Sequence, residues 1–128
     1  MVLRYASRIS GPILDRVDIH QRMRPLTKMH LVGATSLPQG ESSRTVGERV
    51  QEARQRAARR WAGTPWRVNA EVPGSQLRKR LPSPAAVQVI EDALARRQLT
   101  ARGVDKVLRI AWTEADLAGC DDVTATHI

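Results

Sequence analysis

The stretch TARGVDKVLRIAWTEADLAG, residues 100–119, decides the fold of this chain. Its apolar residues recur every three or four positions, which is the period of an α-helix with one buried face. They form one stripe: Val104, Val107, Leu108, Ala111, Ala115 and Ala118. Thr100 stands where a hydroxyl caps the start of a helix, and Gly119 stands where a left-handed residue ends one. The stretch therefore predicts a full helix whose stripe is covered by neighbouring helices.

Two earlier segments have the same periodicity. The first is predicted to begin at residues 45–48, because Thr45 and Glu48 form a capping box, and to end at the Gly-Thr-Pro sequence of residues 63–65. The second begins at Ser83, with proline at the next position, where a missing N–H costs nothing. Their predicted buried faces are, in order, Val46, Val50, Ala53 and Ala57, then Ala86, Val87, Ile90, Ala93 and Leu94. A short basic helical segment, residues 76–80, is predicted between them.

The first part of the chain has a different pattern. A short helical turn is expected after Gly11, and residues 17–24 alternate apolar and polar side chains, which predicts a strand with one buried face. Four Pro and Gly residues interrupt residues 25–40, which therefore read as a loop. The predicted fold is mainly α: a small helical bundle over residues 43–128, preceded by a helix–strand segment over 1–24 and a linker over 25–42. A further helix is expected to start at Thr124 and to be cut short.

The composition sets limits on the class of protein. The chain has 128 residues, 41% of them hydrophobic, with no Phe, so the core consists of aliphatic side chains and tryptophan. A single cysteine, Cys120, excludes an internal disulfide and gives no sign of secretion. No apolar run approaches the length of a membrane span. We therefore expect a cytoplasmic protein with no membrane partner.

The charge is strongly basic. There are 21 Lys and Arg against 13 Asp and Glu, a formal net charge of +8, and nearly all of the positive charge is arginine. An excess of this kind is typical of proteins that bind nucleotides or nucleic acid. It is equally typical of an arginine-rich proteome, so the charge leaves both interpretations open.

Several kinds of catalytic or metal site are missing from the sequence. The phosphate-binding loop G-x-x-x-x-G-K-[ST] does not occur, and no serine stands in a G-x-S-x-G elbow. The three histidines are far apart in the sequence and Cys120 has no Cys or His nearby, so no metal site is predicted. The adjacent Asp121 and Asp122 indicate an exposed turn. This chain alone is therefore not expected to be an enzyme.

Two arginines remain as candidates for phosphate chemistry. Arg16 lies between the predicted helical turn and the predicted strand, where a guanidinium can project from the edge of a domain and bind phosphate through two nitrogens. The alternative is a salt bridge to Asp15 or Asp18. Arg102 lies in the first turn of the last helix, where unpaired N–H groups and the helix dipole favour an anion. The alternative there is a solvated surface arginine.

Four ordered motifs resemble one family. Residues 8–20, RISGPILDRVDIH, resemble the segment R-[IL]-S-G-P-L-L-D-R-[IV]-D-[IL] of ComM-type proteins, which are magnesium-chelatase-like AAA+ ATPases associated with natural competence. Residues 40–43, GESS, agree with the stretch before the family's first lid helix. Residues 69–74, NAEVPG, resemble N-A-x-[LV]-P-G. Residues 99–117 resemble L-[ST]-A-R-G followed by [VI]-L-R-[VI]-A-x-T-x-A-D-L.

The resemblance implies a role for each arginine. Arg16 matches the arginine finger, which reaches the γ-phosphate bound by the neighbouring subunit, and Arg102 matches the sensor-2 residue, which contacts the nucleotide of its own subunit. Arg8 is a lesser candidate for an interface contact. Residues 1–24 would be the C-terminal edge of an AAA+ ATPase core, and residues 43–128 its helical lid. Val104 departs from the family, where tyrosine is common.

The resemblance also implies partners and cofactors. The intact parent would bind ATP and Mg²⁺, work with its own N-terminal ATPase core in a homo-oligomeric ring, expected to be a hexamer, and act on DNA. The Walker A, Walker B and sensor-1 segments are absent from this sequence, so the chain is expected to be a fragment or a truncated product that binds no cofactor tightly by itself. The alternatives are a stand-alone basic helical DNA-binding module, or part of the motor subunit of a magnesium chelatase.

Overall fold

The computed structural model describes residues 11–14, 16–23, 40–80 and 83–128. The chain forms two compact units, Met1–Gly40 and Glu41–Ile128. The predicted boundary between residues 24 and 25, and most of the predicted linker after it, lie outside the described residues.

The described part of the first unit contains one short helix, α1, Gly11–Leu14. It begins at the predicted glycine. After it, the backbone N–H of Arg16 donates a hydrogen bond to the carbonyl of Ile13 at 3.0 Å, which closes a turn. Arg16 therefore directly follows a helical turn.

The predicted strand over residues 17–24 is not found where the structure describes it. Residues 17–23 take neither helical nor strand conformation, and Val17, Ile19 and Met23 are 41%, 67% and 82% exposed. A strand exists only through backbone hydrogen bonds to a neighbouring strand. The described ranges contain no strand that could supply them. The prediction was wrong for these residues because side-chain alternation is a local property and strand pairing is not.

The second unit is a helical bundle, so the mainly α prediction is confirmed. Its elements are α2 Ser43–Arg60, a 3-10 helix Asn69–Glu71, α3 Gly74–Lys79, α4 Pro84–Ala95 and α5 Ala101–Ala118. The central element is α5, which packs against α2, α3 and the 3-10 helix. The core joins residues of α3, α4 and α5 with residues that follow α2, the 3-10 helix and α5: Trp61, Val72, Leu77, Ile90, Val104, Leu108, Ala111, Trp112, Ala115 and Val123.

Both predicted caps of α5 are present. Thr100 has an extended backbone, and its hydroxyl accepts a hydrogen bond from the backbone N–H of Gly103 at 3.1 Å. Gly119 has φ +76°, the left-handed conformation that glycine adopts without steric cost. Between the caps, four residues of the predicted stripe are buried, Val107 is only partly buried, and Ala118 at the end is exposed.

The start of α2 differs from the prediction. Ser42 is the cap: its Oγ accepts a hydrogen bond from the backbone N–H of Thr45 at 3.1 Å and lies 2.9 Å from the Thr45 hydroxyl. The predicted capping box at residues 45–48 was three residues late, because serine caps a helix as well as threonine and the earlier start adds backbone hydrogen bonds. Val46 and Val50 are 38% and 37% exposed, so only the later half of the predicted face is buried.

The remaining elements follow the sequence with smaller corrections. Pro84 opens α4 as predicted, although the Ser83 side chain makes no capping hydrogen bond, and Leu94 of its predicted stripe is 40% exposed. The helix expected at Thr124 is only a turn, in which the N–H of His127 donates to the Thr124 carbonyl at 3.1 Å. Ile128 nevertheless packs against the core.

Candidate functional site

Arg102 is the second residue of α5, and it is exposed. The Thr100 cap fixes the start of the helix just before it. The first turn of a helix presents N–H groups without helical partners and the positive end of the helix dipole. A guanidinium at this position adds a full positive charge to that end, so the arrangement favours a phosphate or another anion.

The start of α2 has the same local chemistry. Ser42 caps that helix, and Arg44 is its second residue and exposed. Local chemistry therefore does not single out Arg102. The difference lies in what packs against each helix beyond its first turn.

One face of α5 leads from Arg102 along the helix. Asp105, Arg109, Thr113 and Asp116 follow at intervals of three or four residues, so their side chains lie on one side of the helix. These residues are polar, whereas the predicted stripe of α5 is apolar. The face therefore needs polar partners where it is buried.

Residues 69–74, NAEVPG, supply those partners, and we call this segment the strap. Asn69 Nδ2 donates to Asp116 Oδ2 at 2.9 Å and to Thr113 Oγ1 at 3.3 Å. Farther along, Arg109 Nη2 donates to the carbonyl of Val72 at 3.3 Å. The strap thus runs antiparallel to α5, from its last turns toward Arg102.

The strap ends on Asp105. A Cβ placed on Gly74 would overlap all three atoms of the Asp105 carboxyl group, so a side chain there requires that group to move. Arg78, one turn later in α3, lies with Nη2 3.1 Å from Asp105 Oδ1 and 3.2 Å from Oδ2. Gly74, Arg78 and Asp105 therefore join the start of α3 to the second turn of α5.

A buried ion pair holds the other end of this face. Arg60 Nη2 lies 2.5 Å from Asp116 Oδ1, and the two side chains are only 7% and 2% exposed. The guanidinium carbon of Arg60 lies 4.1 Å from the centre of the Trp112 ring. Asn69 completes the group, because its Oδ1 accepts a hydrogen bond from Trp61 Nε1 at 3.0 Å. A charged pair can be buried at low cost only when its polar atoms have hydrogen-bonding or ionic partners, as they do here.

A cleft of about 430 Å³ lies near this ion pair, and four arginines line it: Arg56, Arg59, Arg60 and Arg80. They lie in the last turns of α2 or cap the end of α3, and a helix end of this kind carries partial negative charge. Asp121 and Asp122, which also line the cleft, lower its net charge further. Its arginines therefore balance charges of the bundle itself. Trp112 in the wall of the cleft is ten residues from Arg102, or about 15 Å along α5.

The other predicted site residues lie in the first unit. Arg16 is exposed in the turn after α1. Arg8 and Asp15 lie outside the described residues, so nothing is added about the Arg8 contact or about a salt bridge to Asp15. Arg16 and Arg102 belong to different compact units.

A surface pair shifts two pKa values. Arg49 donates to both carboxylate oxygens of Glu41, at 2.8 and 2.7 Å. These hydrogen bonds, together with the charge of the guanidinium, lower the pKa of Glu41 below its ordinary value and raise that of Arg49. Both groups are exposed, so the pair supports the start of α2 and offers no acid–base chemistry.

The described residues contain neither a candidate metal cluster nor a candidate membrane span. No three His, Cys, Asp or Glu side chains gather there in a way that could hold a metal ion. None of the helices in those ranges combines the length and the apolar character that a membrane crossing requires.

Sequence reasoning missed Arg60 and the partners of the strap. Asn69 and Asp116 both lie in the motifs singled out above, but their pairing joins residues 47 positions apart. A signal was present: Asp116 stands beside Ala115, on the buried side of α5, where an ionised carboxylate needs a cation. The basic end of α2 was the available source of one.

Comparison with known proteins identifies the family. Residues 40–128 match magnesium chelatase, subunit ChlI C-terminal. An uncharacterised protein of Mycobacterium tuberculosis (strain H37Rv) is 48% identical over 117 residues, covering 91% of this chain and 22% of its own length. The uncharacterised protein YifB of Escherichia coli K12 is 35% identical over 128 residues, or 98% of this chain and 24% of its own. Competence protein ComM of Haemophilus influenzae is 30% identical over 129 residues, which cover 99% of this chain and 24% of the length of ComM.

The chain spans about a quarter of the length of these relatives. The family match covers the whole helical bundle, including the strap, the buried ion pair and Arg102. The relatives extend the likeness over the first unit as well. The chain therefore belongs to the magnesium chelatase ChlI C-terminal family and is a C-terminal part of the ComM and YifB type.

Proposed function

We propose that this chain is the lid and arginine-finger segment of a ComM-like AAA+ ATPase. In the longer protein it couples ATP hydrolysis, within a ring of identical subunits, to branch migration or translocation of DNA during natural transformation. Arg102 contacts the nucleotide phosphates of its own subunit, and Arg16 reaches the γ-phosphate held by the next. ATP and Mg²⁺ bind at the ATPase core, and this chain adds two positive charges from opposite sides.

One observation carries the proposal: Arg102 is exposed in the first turn of a helix whose other turns are held in the bundle. Phosphoryl transfer is stabilised by positive groups that are already in place when charge develops. Because the core and the strap hold α5 along its length, Arg102 at its start is kept in place in this way. By contrast, the four arginines of the cleft lie at helix C-termini beside two aspartates, which argues against a stand-alone DNA-binding module.

The first test compares Arg102→Ala with Arg44→Ala in the longer protein that carries the ATPase core. Both arginines are the second residue of a helix capped by a hydroxyl, so they match in local chemistry. We expect Arg102→Ala to lower kcat/KM for ATP and Arg44→Ala to leave it unchanged. Equal effects of the two substitutions would overturn the assignment of Arg102.

The second test assigns the two arginines to opposite sides of one shared site. Arg16→Ala should leave ATP binding nearly intact and lower hydrolysis by about 10³-fold, the usual scale for an arginine finger. Mixing Arg16→Ala subunits with a Walker-defective mutant should restore some activity, because intact pockets then meet intact fingers. Mixing Arg102→Ala subunits with the same mutant should restore none. If neither mixture regains ATPase activity, the arginine-finger role of Arg16 is overturned, and Arg16 is a structural salt-bridge partner instead.

A further inference from the structure

The contact between Gly74 and Asp105 leaves no room for a side chain at position 74 while the Asp105 carboxyl group keeps its place. Every atom that a Cβ at position 74 would overlap belongs to the Asp105 carboxyl group. Gly47, inside α2, is the opposite case, because a Cβ there would meet nothing within 4 Å. The restriction at position 74 therefore comes from this one carboxylate.

Arg78 fixes the carboxylate in its place. Its Nη2 contacts both Asp105 oxygens, at 3.1 and 3.2 Å, and its Nε donates to the Gly74 carbonyl at 3.3 Å. The Asp105 side chain is 21% exposed, so the pair is partly shielded from water. One guanidinium thus ties the first residue of α3 to the second turn of α5.

This junction is the last point of the strap before the nucleotide-facing end of α5. Asn69 and Val72 hold the later turns of the helix, and Gly74 holds Asp105, which is only three residues after Arg102. A displacement at Asp105 is therefore carried directly to Arg102, since one helical turn separates them.

We propose that Asp105 is a positioning residue, which sits on the bare backbone of Gly74, is paired with Arg78, and sets the place of Arg102 relative to the nucleotide phosphates. The inference rests on the proposed function for its readout. The end of the strap, at Pro73 and Gly74, then has a role in catalysis in addition to its role in packing. A side chain at position 74 pushes the start of α5 away from α3, and Arg102 moves with it.

The experiment measures kcat and KM for ATP in the longer protein with Gly74→Ala, and with Gly47→Ala as the matched control. We expect Gly74→Ala to lower kcat/KM by about 10²-fold, the scale for misplacing a catalytic group by about 1 Å. Gly47→Ala should not change it. Adding Asp105→Ala to Gly74→Ala should recover part of the loss, because the overlapping atoms are then gone.

Combination with Arg102→Ala separates positioning from a general structural defect. Residues that act through one group have strongly non-additive effects, so Gly74→Ala should cost nothing further in the Arg102→Ala background. Losses that multiply, or a Gly74→Ala protein as active as the parent, would overturn the inference. If Gly74→Ala lowers the folded yield, Arg78→Met replaces it, since this change leaves the backbone and the space at Gly74 intact, and the same non-additivity is expected.

The two proposals fail in different ways. If Arg102→Ala leaves kcat/KM unchanged, the proposed role of Arg102 is wrong, and the positioning role of Asp105 is wrong with it. If Arg102→Ala lowers kcat/KM while Gly74→Ala and Arg78→Met do not, the proposed function stands and the positioning role is overturned.

Discussion

At the two ends of α5, arginines meet opposite surroundings. At its start, Arg102 is exposed beside the positive end of the helix dipole. Toward its end, Arg60 is buried against Asp116, and other arginines lie at the negative ends of α2 and α3. The second region has more arginines, but its charges are largely balanced from within.

The comparison shows that the number of arginines does not locate an anion site. A guanidinium paired with a carboxylate and stacked on Trp112 has used its charge and its planar face inside the bundle. An exposed guanidinium at a helix start, with its charge added to that of the dipole, is better suited to phosphate. Removing arginines from the two ends should therefore produce different kinds of defect.

The largest expected effect is the loss of the buried pair. Arg60→Ala leaves the Asp116 carboxylate buried without its cation and should lower the free energy of unfolding by about 3–5 kcal/mol. Urea unfolding measures this, with Arg59→Ala as the control, because Arg59 is the exposed neighbour in the same turn and should change stability by less than about 0.5 kcal/mol. Similar values for the two variants would show that the ion pair does not set the stability of this end.

The cap at the other end should matter less. Thr100→Ala removes the hydroxyl that accepts the Gly103 N–H, and we expect a loss of about 1 kcal/mol in the free energy of unfolding. Thr100→Ser keeps the acceptor and should retain most of that stability, as measured by the same urea titration. If Thr100→Ala lowers the free energy of unfolding as much as Arg60→Ala does, the start of α5 contributes as much to stability as the buried ion pair.

The smallest effect concerns the exposed pair, which sharpens the contrast with the buried one. The lowered pKa of Glu41 means that the pair stabilises the fold above the ordinary value of 4.5, and that this stability is lost as the pH falls through the lowered pKa. Arg49→Gln should therefore lower the melting temperature slightly at pH 7, and the difference should vanish in acid.

Salt provides the control for that experiment. Screening weakens an exposed pair, so the difference between the parent and Arg49→Gln should also shrink at high ionic strength at pH 7. A difference that persists in both acid and salt would mean that Arg49 supports α2 through packing of its side chain instead.

Sequence reasoning succeeded where the determinants are local. The stripe of α5, the Thr100 cap and the Gly119 stop all depend on residues within a few positions of each other, and all three are present. The start of α2 was misplaced because Ser42 and Thr45 are both good caps, and local chemistry does not decide between them. The strand predicted after Arg16 depends on a partner that no local pattern specifies.

The candidate site was predictable only in part. The Thr100 cap in the sequence predicts that Arg102 lies in the first turn of α5. Arg44 has the same local surroundings, and only the contacts of the strap with α5 distinguish the two arginines. The contacts of Asn69 with Asp116 and of Gly74 with Asp105 join segments 47 and 31 residues apart, and spacing in the sequence does not reveal them. Both segments carry motifs in the sequence, but the contacts that explain these motifs form only in the folded bundle.

The tryptophans around the buried ion pair have a practical consequence. The chain has three tryptophans, one tyrosine and no Phe, so indole dominates its near-ultraviolet absorption. Trp112 is 4% exposed and lies under the Arg60 guanidinium, while Trp61 and Trp66 meet edge to face with ring centres 6.0 Å apart. Intrinsic fluorescence therefore originates next to the Arg60–Asp116 ion pair, which joins α2 to α5. The bundle contains its own optical probe, through which a change in the packing of α2 against α5 can be followed without any label.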